Sequence, residues 1–289
     1  MTCQLAFSSA AGAVLFSDSQ GSTDAIEVHG LQKQLVGDDF LLGGAGHRLV
    51  VEEVFRSLCD SESGKCSVPG VKVASHISNF LASNVTGHAA ANTNFILVYQ
   101  EEDKEYVISV LRPSVFKSFV KEQSFVTLGS GAELVQAAID RDRKLGVFFQ
   151  PEILSDMVVA GENYLETATQ SLTVDSQFVI GMLRSGNGYM MGDPAIGVSH
   201  APERVVEKWS EAAARYREIL AHAQLIKGEI RAAQRAVSSV QIGQLGVSAV
   251  DQVEGCRSSV EENRKGVTTK IEEYCRWYDE LVGRDVLDS

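Results

Sequence analysis

The order of apolar runs along the chain predicts an α+β protein, a four-layer α/β/β/α sandwich over residues 1–200 followed by a long α-helical hairpin over 201–289. Three observations carry this. Short apolar runs bounded by Gly, Ser, Asn and Asp come in adjacent pairs, as antiparallel hairpins do. Runs with 3–4 spacing also come in pairs between them, so the β-α-β alternation of a doubly wound parallel sheet is missing. After Pro202 the 3–4 spacing continues to near the end with a single Gly-containing break.

Cys3–Phe7 and Ala13–Phe16 flank a Ser-Ser-Ala-Ala-Gly turn and read as a first hairpin, which places the terminus in a sheet rather than a loose tail. A polar loop, Ser19 to His29, follows. Leu31–Val36 and Phe40–Ala45 are strands around a Gly-Asp-Asp turn, and Gly43, Gly44 and Gly46 mark a close approach at the end of the second. His47–Leu58 and Val71–Leu81 are helices, with Leu49, Val50, Val54, Phe55 and Leu58 facing inward on the first and Val73, Ile77, Phe80 and Leu81 on the second. Asn94–Tyr99 and Glu105–Leu111 form a hairpin across a charged turn. Ser124–Leu128 is a strand leading through Gly129-Ser130-Gly131 into the helix Ala132–Asp140, whose inner face is Leu134, Val135 and Ala138. Pro151–Thr169 is a further helix. Phe178–Leu183 and Tyr189–Met191 close the set around a Ser-Gly-Asn-Gly turn.

From Val205 to Val240 and again from Val250 to Leu281 the apolar stripe is narrow and Ala-rich. Two long antiparallel helices are expected, the first, at roughly 1.5 Å per residue, over about 50 Å long. They form either a cap on the domain or a coiled-coil-like arm for a partner helix or another subunit.

Composition excludes several functions. The 289 residues carry a formal net charge of −12, which disfavours nucleic acid and anionic membrane surfaces as partners. No transmembrane run or signal peptide is visible, so the expected location is cytoplasmic. The five cysteines are an odd number with no zinc spacing; Cys59 and Cys66 are close enough to pair across a loop, and idle free thiols are expected. No cofactor or metal motif is present, the Gly43–Gly46 run lacks the Lys-Ser/Thr of a P-loop, and the six histidines have no triad spacing.

The chemistry concentrates near the start. Removal of Met1 leaves Thr2 with a free α-amine, so its hydroxyl has a nucleophile's role and its amine that of a local base. Lys33 lowers the hydroxyl pKa or relays its proton, Asp18 orients that lysine, and N–H groups of the Gly43–Gly46 strand end suit an oxyanion. Gly-Ser-Gly at 129–131 reads by itself as a tight turn with an N-cap.

Taken in order, these pieces resemble the proteasome β-subunit-like family of N-terminal nucleophile (Ntn) hydrolases. The resemblance rests on Thr2, on G-A-V-L-F-S-D-S-Q (12–20), K-Q-L (33–35), F-L-L-G-G-A-G (40–46) and L-G-S-G (128–131), and it spans roughly residues 2–190. It implies the α/β/β/α sandwich, Thr2 as nucleophile, Asp18 and Lys33 as its assistants, an oxyanion N–H from Gly46, and Ser130 hydrogen-bonding near the Thr2 amine. The stretch S-L-T-V-D-S (171–176) is similar to the bacterial ancestral β-subunit (Anbu) branch, where a Ser takes the place of the family's second Asp. Ser171 is the candidate for it and Asp175 the second choice. The implied activity is that of an N-terminal threonine peptidase or amidase, acting on peptide or protein and self-assembled into a homo-oligomer. The C-terminal extension has no counterpart in proteasome subunits and resembles that of connectase-type ligases, so a threonine-based peptide ligase is an alternative, as is a non-catalytic scaffold.

Overall fold

The computed structural model describes residues 3–22, 27–28, 31–59, 66, 68–85, 87–101, 105–113, 119–122, 124–145, 152–169, 178–193, 196, 201–241 and 247–284. Its elements are β1 (Cys3–Ser9), β2 (Gly12–Asp18), β3 (Gly21–Ser22), β4 (Glu27–Val28), β5 (Gln34–Val36), β6 (Phe40–Ala45), α1 (Arg48–Leu58), α2 (Gly70–Asn84), α3 (Gly87–Ala91), β7 (Asn94–Gln100), β8 (Tyr106–Leu111), β9 (Val120–Glu122), β10 (Phe125–Gly129), α4 (Ala132–Leu145), α5 (Leu154–Ala168), β11 (Phe178–Arg184), β12 (Asn187–Gly192), α6 (Glu203–Glu207), α7 (Trp209–Gln241) and α8 (Val247–Val282).

The long strands form two antiparallel five-stranded sheets. One has the order β10-β1-β2-β11-β12 and the other β5-β6-β7-β8-β9. Side chains of the two sheets meet in one core, with Leu5, Phe7, Leu15, Leu41, Ile96, Val98 and Ile108 fully buried or nearly so. A second core lies where α1 and α2 cover the outer face of the second sheet, around Leu42, Val54, Phe55, Val73, Ile77 and Leu97. The first sheet is covered on its outer face by α4 and α5. Strands covered on both faces can be apolar throughout, and β2 is buried at every residue. Gly161 lets α5 close on this sheet, because a Cβ there would sit 2.0 Å from the Phe16 ring.

Most expected elements appear within a few residues of their expected ends. Two inward assignments do not hold. Leu49 is 61% exposed, because α1 turns Val51 onto Gly44 and a residue two positions earlier points about 200° away. Leu134 is 38% exposed at the edge of a stripe centred on Val135, Ala138 and Ile139. The strand expected from Leu31 begins only at Gln34, and the short elements β3, β4, β9, α3 and α6 have too few residues for periodicity to show.

The two long C-terminal helices run antiparallel, α7 being 33 residues and about 50 Å long. They dock on α5 and β12. Arg264 on α8 makes a two-pronged ion pair with the buried Asp156 of α5, at 2.6 and 2.9 Å. Tyr216 on α7 donates to Glu162, Tyr189 on β12 donates to Asp279 at 2.9 Å, and Tyr274 donates to the Met190 carbonyl. Arg284 closes the far end on Gly188 O and Asp38, at 3.0 and 2.8 Å. Helix α5 is therefore buried on nearly all sides, which matches its apolar sequence. Among the described residues no helix is long and apolar enough to cross a membrane.

Candidate active site

Strand register brings Asp18, and the strand ends next to Lys33, Gly46 and Ser130, to the same end of their sheets. In the first sheet Cys3 pairs with Gly129 and Phe178 with Asp18. The start of β1, the end of β2, the end of β10 and the start of β11 therefore share one edge. In the second sheet Gln34 pairs with Gly43, which puts the start of β5 beside the end of β6. Gln4 Nε2 joins the two edges by donating to the carbonyls of Lys33 and Gly44, each at 3.1 Å.

Asp18 lies at the centre of this edge, with a fully buried side chain. Its Oδ1 accepts from the Cys3 backbone N–H at 2.8 Å and from Lys33 Nζ at 2.9 Å. Lys33 Nζ also donates to the Gln20 carbonyl. Oδ2 is buried with no hydrogen-bond partner among the described residues. Burial pushes the Asp18 carboxyl above its ordinary range, and the Lys33 charge and the Cys3 N–H act against that shift.

Cys3 carries the thiol closest in sequence to Thr2. Burial and then the Asp18 charge raise it to about 12, with Lys33 opposing. A thiol held neutral is neither a nucleophile nor a metal ligand. Among the described residues no group of three or more His, Cys, Asp and Glu is placed to hold a metal ion.

Gly46 follows the end of β6 with φ +121°, a left-handed backbone, and a Cβ there would lie 2.0 Å from the Asn92 carbonyl oxygen. Only glycine fits both demands. Ser130 occupies the exposed turn between β10 and α4, directly after Gly129, the partner of Cys3. Asp18 and Lys33 are thus in direct contact, while Gly46 follows the end of β6 in the second sheet and Ser130 the end of β10 in the first. Thr2, Ser171 and Asp175 lie outside the described residues.

Four groups at this edge were not singled out from the sequence: the Cys3 N–H, the Gln20 carbonyl, Ser17 and Gln4. Backbone groups leave no sequence signal. Gln4 did leave one, a polar residue inside the apolar run C-Q-L-A-F, and it is fully buried.

No family model matches the chain, and no curated protein does. Among solved structures, the chain is similar to that of an Anbu (Gly-1) mutant from Hyphomicrobium sp. strain MC1, at 16% identity and a TM-score of 0.53, over 75% of this chain and 96% of that one. At that identity the likeness is one of fold alone, a mixed α/β arrangement with two antiparallel sheets.

Proposed function

We propose that the chain is an N-terminal threonine hydrolase of the proteasome-like Ntn class, a peptidase or amidase acting through a Thr2 acyl-enzyme once Met1 is removed. The observation that supports this best is the shared acceptor Asp18 Oδ1, which takes the Cys3 N–H at 2.8 Å and Lys33 Nζ at 2.9 Å. The Cys3 nitrogen is the atom to which Thr2 is covalently joined. A single peptide bond therefore separates the residue given the nucleophile's role from an atom bound to the Asp18–Lys33 pair.

In this reading the Thr2 hydroxyl attacks a peptide carbonyl while the α-amine accepts its proton. Lys33 supplies positive charge beside the developing alkoxide, and Asp18 fixes the lysine. The Gly46 N–H stabilises the oxyanion, and Ser130 and Ser171 steady the amine. The C–N bond breaks as the leaving amine takes the proton, and water then cleaves the Thr2 ester. The four-layer α/β/β/α reading is supported by helices on the outer face of each sheet. The 1–200 and 201–289 division, a cytoplasmic location and self-assembly through the sandwich and the hairpin complete the reading.

The test is acylation by a peptide β-lactone, which should be lost in Thr2→Ala, Lys33→Ala and Asp18→Asn. Product analysis with an added peptide amine then separates hydrolysis from ligation, and a folded wild-type chain that is never acylated marks a scaffold.

A further inference from the structure

Gln4 has no exposed surface and sits in the layer between the two sheets. Its Nε2 lies 3.1 Å from Lys33 O and 3.1 Å from Gly44 O, with Ser17 Oγ at 3.3 Å. The two carbonyls fix which end of the amide is nitrogen, since the flipped amide would set its oxygen against both. Lys33 O also accepts from the Gly44 N–H at 2.9 Å, so it is held from both sheets at once. Gly43 makes room for the amide: a Cβ there would lie 2.7 Å from Gln4 Oε1 and 2.8 Å from Nε2.

Each group that Gln4 touches belongs to a site residue or to one within two positions of it. Lys33 is the cation of the pair, Ser17 precedes Asp18, and Gly44 lies two residues before Gly46. Stability alone accounts poorly for an amide here. Among the described residues Gln4 Oε1 is buried without a hydrogen-bond partner, and a buried unsatisfied acceptor is destabilising where an apolar side chain of the same volume is not.

We infer that Gln4 is a positioning residue, an inter-sheet tie that sets Lys33 and the Gly44–Gly46 strand end at their working distance from Asp18. The inference rests on the threonine-hydrolase reading for its catalytic consequence, but the placement of Lys33 on Asp18 is measurable without it.

The experiment uses the full chain and two variants that disturb the tie from opposite sides. Gln4→Met keeps the volume and removes both donors, and Gly43→Ala pushes the amide off its acceptors from the second sheet. Two readouts are taken: the titration midpoint of the Asp18 carboxyl by 13C NMR, and the acylation rate with a peptide β-lactone across inhibitor concentration. Loosening Lys33 should raise the Asp18 midpoint above that of the wild type in each variant that folds. It should also lower the limiting acylation rate about tenfold or more, while the concentration for half-maximal rate stays within about twofold. A wild-type Asp18 midpoint in the folded variants overturns the inference, and so does a wild-type limiting rate in Gln4→Met. If the wild type itself is never acylated, the hydrolase reading fails and the Asp18 titration alone decides the tie.

Discussion

Asp18 Oδ1 is reached by Lys33 Nζ at 2.9 Å, and the pair is almost wholly buried, with side-chain exposures of 0% and 9%. Removing the lysine strands a carboxylate away from water. Lys33→Met should therefore destabilise the protein by about 3 kcal/mol at neutral pH. The sign with pH follows from burial, which raises the folded-state carboxyl pKa above its unfolded value. Such a group favours folding below the unfolded pKa and loses that contribution as pH rises through the folded one. The deficit of Lys33→Met against wild type should shrink towards pH 4. Urea unfolding at pH 4 and pH 7 checks this, and equal deficits would contradict it.

The same reasoning gives Glu162 a window of its own. Burial raises its carboxyl to about 7, against the hydrogen bond from Tyr216 and the charge of Lys227. Stability from this group is complete below about pH 4.5 and is lost as pH rises to about 7. Glu162→Gln should be more stable than wild type at pH 8, by on the order of 2 kcal/mol, with the gain fading towards pH 5. Denaturant midpoints of both proteins at the two pH values test it.

Arg264 and Asp156 join the hairpin to α5. Arg264→Met takes the buried cation from Asp156 and should cost about 3–5 kcal/mol, whereas Asp156→Leu combined with Arg264→Met should recover most of the loss. A double-mutant cycle in urea measures the coupling, and additive losses would show that the pair does not couple α5 to α8.

Glycines on different elements should respond in opposite directions. Gly46→Ala meets the Asn92 carbonyl at a left-handed backbone and should lose more than about 1 kcal/mol. Gly228→Ala, with nothing within 4 Å of the new Cβ in the middle of α7, should gain about 1 kcal/mol. Thermal melts of the two variants compare them directly.

Much of the fold was legible because the strands are short apolar runs and the helices carry clean 3–4 stripes. Phe40–Ala45 coincides with its observed bounds. Leu49 and Leu134 flank their stripes and look inward by spacing alone, and only the packed neighbour, Val51 on Gly44 in one case, sets the helix rotation. The docking of α7 and α8 was not legible, because an Ala-rich stripe fits a partner helix as well as a domain surface. Its determinants are single polar residues, Arg264, Tyr216 and Tyr274, whose partners lie 54 to 108 positions away. At the site, Asp18 and Lys33 were named from the sequence and are found in contact, whereas the Cys3 N–H and the Gln20 carbonyl are backbone groups that no residue type announces.

The intact mass of the purified full-length chain, before and after a peptide β-lactone, bears most directly on the role given to Thr2. The expected result is a mass lacking Met1 that gains a single adduct, mapped to Thr2 and absent from Thr2→Ala. Retention of Met1, or an adduct that persists in Thr2→Ala, would contradict a threonine nucleophile.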